Sequence, residues 1–275
     1  CNTQIGIGVE RQRAIDSGGL SLHFQPKFDL HRNRVTQVEA LLRWEDEELG
    51  KEFPDEFIPL AERSGDIYDL SDWVMQEAAR TAVRWEAMAM PIVIGVNVSG
   101  RDFKRQHFVQ KTLSILEGEG AKPEQFLLEI TESATIENID LAISHLNALS
   151  EAGFQIAIDD FGTGFSSLNQ LKRLPADELK IDKSFVLHLD SDPYDHKIVR
   201  ATINLGHNLG MYVVAEGVES HTSLQLLRQM HCDIIQGYHL SRPLPRDDFE
   251  QWWQDHDSHI AHAVGPQSAA SVAPE

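Results

Sequence analysis

Short apolar runs alternate with amphipathic stretches along most of this chain. After residue 90 the order is regular. Apolar segments such as residues 91–99, 125–130 and 154–159 are each followed by a stretch whose apolar residues have helical spacing or by a turn-rich loop. Such alternation predicts a parallel sheet that is buried by helices on both faces.

The same pattern extends over the whole central part of the chain. A helical region from Pro54 to about Met90 interrupts it once, after two strands joined by a turn near Asn33. The predicted strands are residues 20–28, 35–44, 91–99, 125–130, 154–159, 178–182, 211–216 and 232–236. About eight strand signals in roughly 250 residues favour an α/β fold of the closed (β/α)8 TIM-like type over an open sheet.

The ends of the chain differ from this pattern. Residues 1–19 are interpreted as an N-terminal linker with a short helix that stops at Gly18 and Gly19. Residues 20–255 form the predicted domain, with no internal linker. Residues 256–275 are rich in small residues and proline and are expected to be a disordered tail. Because the first residue is cysteine, we expect a piece of a longer protein.

The composition limits the possible functions. The formal net charge of -19 argues against binding to a DNA or RNA polymer, which requires a basic face. Only two cysteines are present, without metal-ligand spacing, and a reducing compartment is the simplest interpretation. No apolar run reaches the ~20 residues that span a bilayer. These features predict a cytoplasmic domain, in a parent protein for which a membrane anchor elsewhere stays open.

Polar residues occur at or near the carboxyl end of most predicted strands. The set comprises Glu39, Asn97, Glu129, Asp159, Asp160, Lys180, Glu216 and Gln236. In a (β/α)8 barrel these ends form one mouth, where active sites lie. Several carboxylates in one mouth require cations. Hard oxygen ligands are typical of Mg2+ or Mn2+ sites. A single strand-end acid is more often a helix cap or a surface charge, so the prediction depends on the coincidence of many elements.

Three residues of this set, and Arg43 near it, suggest specific chemistry. Neighbours in a continuing strand face opposite sides, so Asp159 and Asp160 can serve one site only if the strand ends between them. Lys180 is the single cation in the set, and it could orient a water or offset charge on the reacting group. Arg43, four residues after Glu39, has the geometry to meet a phosphate oxygen.

These motifs together resemble those of a known family. The segments are EALLRW (39–44), NVS (97–99), EITES (129–133), DDFGTGFSSL (159–168), KID (180–182), AEGVE (215–219) and QGY (236–238). From about residue 20 to 250 the chain resembles the EAL-domain phosphodiesterases, which hydrolyse bis-(3′-5′)-cyclic dimeric GMP. One departure is Lys27, which stands where the resemblance leads us to expect an apolar residue.

The resemblance implies a TIM-like barrel whose first strand is antiparallel to the rest. It implies two divalent cations, Mg2+ or Mn2+, with Ca2+ inhibitory. The implied metal ligands are Glu39, Asn97, Glu129, Asp159, Asp160 and Glu216. Lys180 is implied to hold the attacking water, so that Lys180, Glu39 and Glu216 are the catalytic residues. Arg43, Gln25, Asp182 and Gln236 are implied substrate contacts. Glu132 is implied to anchor the loop that begins at Asp160, and Glu219 to support the site.

The resemblance also implies partners and leaves a functional alternative. The expected ligand is cyclic di-GMP, the expected assembly a homodimer, and the expected neighbours in the full-length protein upstream sensor or GGDEF-type domains. An active enzyme would produce linear pGpG, whereas a silent receptor would bind the dinucleotide uncut. The complete ligand set favours the enzyme. A glycosidase with a carboxylate pair has no use for Asn97 and Lys180.

Overall fold

The computed structural model describes residues 19–46, 50–52, 54–132, 139–163 and 168–256. Its centre is a closed barrel of eight strands surrounded by helices. The strands are β1 (Leu20–Asp29), β2 (Arg34–Asp46), β3 (Gly50–Glu52), β4 (Val93–Val98), β5 (Phe126–Thr131), β6 (Gln155–Phe161), β7 (Glu178–Ile181), β8 (Tyr212–Ala215), β9 (Ile234–Gln236) and β10 (Leu244–Pro245). The short strands β3 and β10 pair with β2 and β1 outside the barrel ring.

The barrel closes through its first strand. β1 pairs antiparallel with both β2 and β9, whereas each pair from β2–β4 round to β8–β9 is parallel. The expected barrel with an antiparallel first strand is therefore confirmed. Because seven strands are parallel, their carboxyl ends open on one mouth, and β1 runs down from that mouth into the barrel.

The helices follow the predicted order with shifted boundaries. They are α1 (Pro54–Ser64), α2 (Ile67–Ala87), α3 (Phe108–Glu119), α4 (Ile139–Glu151), α5 (Leu168–Leu171), α6 (Lys183–Val186), α7 (Pro193–Asn208), α8 (His221–Gln229) and α9 (Arg246–His256). The single helical region predicted up to Met90 is two helices, separated at Gly65, whose φ is +88°. The helix that follows β4 begins only at Phe108, after a short 3-10 turn at Asp102–Lys104.

Aromatic residues hold β1 in place despite its reversed direction. Phe24 packs edge-on against Trp85 of α2, with ring centroids 5.0 Å apart, and Phe249 of α9 lies 5.2 Å from Trp85. The Trp85 Nε1 donates to Glu250 Oε1 at 3.0 Å, so the indole is paired although it is buried. Since Gln25 follows Phe24, this packing fixes the depth at which the inward-facing side chains of β1 enter the barrel.

Some expectations fall on other parts of the chain. The predicted N-terminal helix and the predicted tail lie outside the described residues, apart from their last and first residue. Within the described residues, no helix has the length and apolar character required to cross a bilayer. Cys232 is a buried free thiol just before β9.

Gly237 is a site where a small change should disturb the fold strongly. A Cβ at this position would lie 2.2 Å from the carbonyl oxygen and 2.3 Å from the amide nitrogen of Val218, and backbone atoms cannot move aside cheaply. We expect Gly237→Ala to lower the free energy of unfolding by about 3 kcal/mol, measured by urea denaturation.

Gly118 provides the matched control for this change. It lies in α3 with open space around its missing side chain. Gly118→Ala should raise the free energy of unfolding by about 0.5–1 kcal/mol, because alanine favours the helix. Equal effects of the two substitutions would show that the contact with Val218 does not constrain the fold.

Candidate active site

Lys180 lies at the centre of the barrel mouth. Its side chain is fully buried, and its Nζ lies 2.7 Å from Glu216 Oε1, 3.0 Å from Asp159 Oδ2 and 3.8 Å from Glu39 Oε2. It also donates to Glu129 Oε2. These four carboxylates come from β2, β5, β6 and the position directly after β8. The barrel therefore brings together residues as far apart in sequence as Glu39 and Glu216, which are separated by 177 positions.

The two adjacent aspartates reach the site in a way that the sequence analysis described incorrectly. Strand β6 continues to Phe161 and does not end between them. Its pairing with β7 is irregular between Ile158 and Phe161, and Asp160 has a left-handed φ of +55°. This local reversal turns Asp160 back toward the mouth. As a result, ligand oxygens of Asp159, Asp160 and Glu216 all lie within 4.8 Å of one another.

Glu39 is held by neutral donors on both of its oxygens. Asn97 Nδ2 donates to Oε1 at 2.8 Å, and Gln236 Nε2 donates to Oε2 at 2.6 Å. Gln236 Nε2 also donates to Gln25 Oε1 at 3.1 Å, and Gln25 Nε2 donates to the carbonyl of Ser241. The carboxylate of Glu39 is thus oriented before any ligand arrives, which is the condition for precise metal coordination.

The ionisation of the carboxylates differs with their surroundings. Burial raises the pKa of Glu39, but the ammonium groups of Lys180 and Lys27 outweigh it and leave the pKa at about 2. Burial raises the pKa of Glu216 to about 8, and the charges of Asp159 and Glu39 add to burial against the opposing effect of Lys180. Burial alone would lower the pKa of Lys180, yet its carboxylate neighbours raise it well above its usual value. The site therefore carries more negative charge than its lysines neutralise.

Divalent cations fit this excess of charge. Among the described residues, six carboxylates (Glu39, Glu129, Asp159, Asp160, Glu178 and Glu216) and two ammonium groups (Lys27 and Lys180) lie at the mouth or in the interior below it. If all are ionised, four negative charges remain, which two divalent cations would balance. The donors are carboxylate and amide oxygens, the ligand type that Mg2+ and Mn2+ prefer.

A cleft of about 380 Å³ opens beside the carboxylate cluster. Arg43 lines this cleft together with Asn97 and Asp160, and its Nη1 donates to the carbonyl of Leu42. Asp182 caps α6, accepting from the backbone nitrogen of Ser184 at 3.0 Å. Its charge contributes to raising the pKa of Asp160, after burial and Asp159, so the two carboxylates are neighbours in the electrostatic sense.

Glu132 and Glu219 have different surroundings. Glu132 is buried, and its Oε2 accepts from the backbone nitrogen of Gly162 at 3.1 Å. It therefore ties the end of β5 to the start of the loop after β6, as expected of a loop anchor. Glu219 is exposed, and no hydrogen bond recorded between described residues links it to the carboxylate cluster.

Sequence reasoning missed three buried polar residues below the mouth. They are Lys27, Gln37 and Glu178, which are at most 7% exposed. Each lies two positions from a recognised residue of its strand, Gln25, Glu39 and Lys180 respectively. Side chains two apart in a strand share a face, so this spacing was a usable signal. Lys27 was noted only as a departure from the family pattern.

Comparison with known proteins places the chain in a family. The EAL domain family matches residues 9–243. The chain is 40% identical over 245 residues to the bifunctional diguanylate cyclase/cyclic di-GMP phosphodiesterase MucR of Pseudomonas aeruginosa, covering 89% of this chain and 36% of that protein. It is 37% identical over 241 residues to the signaling protein YkoW of Bacillus subtilis, covering 88% of this chain and 30% of that protein. The chain thus spans about a third of the length of these relatives.

Solved structures agree with this assignment. The structure of the PaMucR phosphodiesterase in complex with c-di-GMP superimposes with a TM-score of 0.84 at 38% identity, covering 89% of this chain and 99% of that one. The FimX EAL domain from Pseudomonas aeruginosa bound to c-di-GMP gives a TM-score of 0.79 at 25% identity, covering 88% of this chain and 96% of that one. The chain belongs to the EAL domain family, and its relatives include cyclic di-GMP phosphodiesterases.

Proposed function

We propose that this domain is a metal-dependent phosphodiesterase that hydrolyses cyclic di-GMP to linear 5′-pGpG. The observation that carries the proposal is the convergence of Glu39, Glu129, Asp159 and Glu216 on Lys180 at the mouth of the barrel. A carboxylate cluster of this density is costly without cations, because like charges close together oppose one another's ionisation. The family membership supports the substrate class.

The residues divide into those that hold cations and those that act on the substrate. The proposed metal ligands are Glu39, Asn97, Glu129, Asp159, Asp160 and Glu216. Two bound divalent cations, Mg2+ or Mn2+, would supply Lewis acidity, which lowers the pKa of a water from 15.7 to about 7 and offsets charge on the phosphate. Asn97 and Gln236 keep Glu39 oriented through the hydrogen bonds described above.

Lys180 is the proposed residue that holds the attacking water. Its ammonium group lies among the carboxylates and keeps its proton, so it donates a hydrogen bond and does not act as a base. The water attacks one phosphorus in line, so that a bond forms between the water oxygen and phosphorus while the bond from phosphorus to the 3′-oxygen breaks. In sum the water's hydroxide stays on the phosphate, and the proton that the water loses is balanced by the proton gained by the leaving 3′-oxygen. One phosphodiester of the ring is opened, which yields pGpG.

The cleft beside the mouth provides the proposed substrate contacts. Arg43 is half-buried at this cleft, where its guanidinium can meet a phosphate oxygen. Gln25 and Gln236 adjoin Glu39 through their hydrogen bonds, and Asp182 is an electrostatic neighbour of Asp160. Glu132 keeps the start of the loop after β6 in place through Gly162. Glu219 is the proposed support of the turn that follows β8.

We propose that other domains of the full-length protein regulate this domain. The chain spans about a third of the relatives it matches, among them a bifunctional diguanylate cyclase/phosphodiesterase. We therefore propose upstream sensor or GGDEF-type domains, a homodimeric assembly and a cytoplasmic location for this domain.

Incubation with cyclic di-GMP tests the proposed function. We expect pGpG, detected by reversed-phase chromatography, when Mg2+ or Mn2+ is present, and no product with chelator. Ca2+ should inhibit when added to the Mg2+ reaction, because its larger and looser ligand shell alters the positions of the carboxylates.

Binding must be measured on the same samples. Calorimetry with cyclic di-GMP in Ca2+ separates a site that binds without cutting from a site that does neither. Tight binding of cyclic di-GMP without pGpG formation in any of the metals would show that the domain is a receptor and not a phosphodiesterase. Turnover that is undiminished with Ca2+ alone would contradict the proposed metal preference.

A further inference from the structure

Lys27 is a buried cation for which the proposed reaction has no use. Its side chain is 0% exposed, and its Nζ lies 2.5 Å from Glu129 Oε1, whose side chain is also 0% exposed. Burying an ammonium group costs several kcal/mol unless a partner compensates for the lost water. A cation at such a position therefore calls for an explanation.

Lys27 lies one pleat deeper than the mouth. In the β1–β2 register Gln25 is opposite Glu39, and Lys27 is opposite Gln37. Since β1 runs downward from the mouth, Lys27 is below the carboxylate cluster and faces the underside of Glu129. It does not reach the cleft, where substrate would bind.

The two lysines divide the oxygens of Glu129 between them. Lys27 holds Oε1 from below, and Lys180 holds Oε2 at the level of the mouth. Oε1 is enclosed between Lys27 and Gly95, whereas Oε2 lies at the level of the mouth and has a second lone pair that can coordinate a cation. Such outer contacts orient metal ligands and contribute strongly to affinity.

Gly95 supports the same arrangement from the neighbouring strand. A Cβ at this residue of β4 would lie 2.2 Å from Glu129 Oε1 and 3.2 Å from its carboxyl carbon. The carboxylate of Glu129 therefore lies directly over the bare Cα of Gly95. Any side chain there would push Oε1 away from Lys27.

Glu178 is a second carboxylate whose charge acts on Lys27. It is 2% exposed on β7, two residues before Lys180, and accepts a hydrogen bond from Gln37 Nε2. Its charge is among those that raise the pKa of Lys27 against burial, with Glu129 the strongest of them. Burial raises the pKa of Glu178, and the charge of Lys27 opposes this. With both groups ionised, removing Lys27 and Glu178 together leaves the formal net charge of the interior unchanged.

We propose that Lys27 is a positioning residue that fixes Glu129 from beneath, in a pocket made by Gly95 and with the charge of Glu178 balancing its own, so that Glu129 presents one oxygen to a divalent cation. The inference rests on the proposed metal-dependent function. Lys27 touches neither substrate nor cation, and it acts only through Glu129.

The double variant Lys27→Met/Glu178→Gln tests the role without a change in net charge. It removes the donor to Glu129, keeps a similar volume, and retains an oxygen that can accept from Gln37. The single variant Lys27→Met is less informative, because losing a positive charge by itself attracts cations. Gly95→Ala displaces Glu129 while leaving Lys27 and Glu178 in place, and it serves as a second, independent variant.

Two controls accompany these variants. Glu178→Gln removes the deeper charge but leaves Lys27 on Glu129. Lys122→Met removes an exposed lysine that pairs with Glu86 just before β5, at the end of the barrel opposite to the mouth. Circular dichroism and thermal unfolding establish which variants are folded.

Mn2+ binding to the substrate-free protein is the decisive measurement. Electron paramagnetic resonance of free Mn2+ gives the dissociation constants, and the Mn2+ concentration for half-maximal pGpG formation is measured in parallel. We expect the double variant and Gly95→Ala to bind Mn2+ about 10- to 100-fold more weakly than the unmodified protein. Lys122→Met should stay within about three-fold, and the double variant should bind Mn2+ more weakly than Glu178→Gln, which has lost the same carboxylate but keeps Lys27 on Glu129.

The possible results separate the two proposals. A folded double variant with unchanged Mn2+ affinity would show that Lys27 only fills and neutralises the barrel interior. If the double variant does not fold, Gly95→Ala decides, and unchanged affinity there has the same meaning. Failure of the unmodified protein to bind Mn2+ or to form pGpG would instead reject the metal-dependent function and, with it, the role of Lys27.

Discussion

Replacing Glu39 by alanine should reduce pGpG formation by about 10³-fold or more. Glu39 is the point where Asn97, Gln236 and Lys180 meet, and its pKa of about 2 keeps it ionised throughout the useful pH range. Loss of this carboxylate removes a proposed metal ligand, the acceptor of Asn97 and one of the two acceptors of the buried Gln236 amide. Steady-state rates at saturating Mn2+ and calorimetric Mn2+ binding should fall together.

Glu39→Gln sharpens this test. Both oxygens of Glu39 accept from amide nitrogens, so a glutamine must face one of these donors with its own NH2 group. The variant keeps the volume but loses the charge and one hydrogen bond, and it should be nearly as inactive as Glu39→Ala. Glu117→Ala, at an exposed position of α3, is the matched control and should retain full activity. Activity of Glu39→Gln within ten-fold of the unmodified protein would remove Glu39 from the metal centre.

Lys180→Met should lower kcat by about 10³-fold while changing KM only a few-fold. Methionine matches the length of lysine but cannot donate to a water, and general acid–base and water-orienting groups are worth about 10² to 10⁴ in rate. The ammonium group also separates Asp159 from Glu216, at 3.0 and 2.7 Å. Bound cations should take over that separation, so the folded variant should still bind Mn2+.

The two substitutions therefore predict different patterns. Glu39→Ala should weaken Mn2+ binding and slow the reaction, whereas Lys180→Met should slow the reaction with Mn2+ bound. A Lys180→Met variant that hydrolyses cyclic di-GMP at a rate near that of the unmodified protein would exclude Lys180 as the residue that holds the water. A variant that loses Mn2+ binding altogether would assign Lys180 to the assembly of the site.

The barrel could be predicted from the sequence because its strands are nearly continuous apolar runs. In β5, residues Phe126 to Ile130 are all buried, which matches a strand covered on both faces. The interruption of this run by Glu129 is what marks it as functional. The direction of β1 came only with the family resemblance, since apolar pattern does not distinguish parallel from antiparallel pairing.

The boundaries and the local backbone were less predictable. The left-handed turn at Asp160 has no signal in the apolar pattern, because aspartate occupies that conformation only where its surroundings support it. Strand β6 was expected to end between the two aspartates, but it continues to Phe161 through an irregular pairing with β7. Asp159 and Asp160 serve one site, as expected. They do so because the φ angle of Asp160 is positive, and not because the strand ends between them.

The sequence by itself determined the alternation of strands and helices, the identity of the polar residues at the strand ends, and the family. These features are local, since a residue's type and its spacing from neighbours are visible in the chain. Tertiary structure alone decided which oxygen of Glu129 meets which lysine, and that Gly95 leaves room for this carboxylate. Such contacts join strands that are distant in sequence, and their distances depend on how the barrel closes, which no single segment encodes.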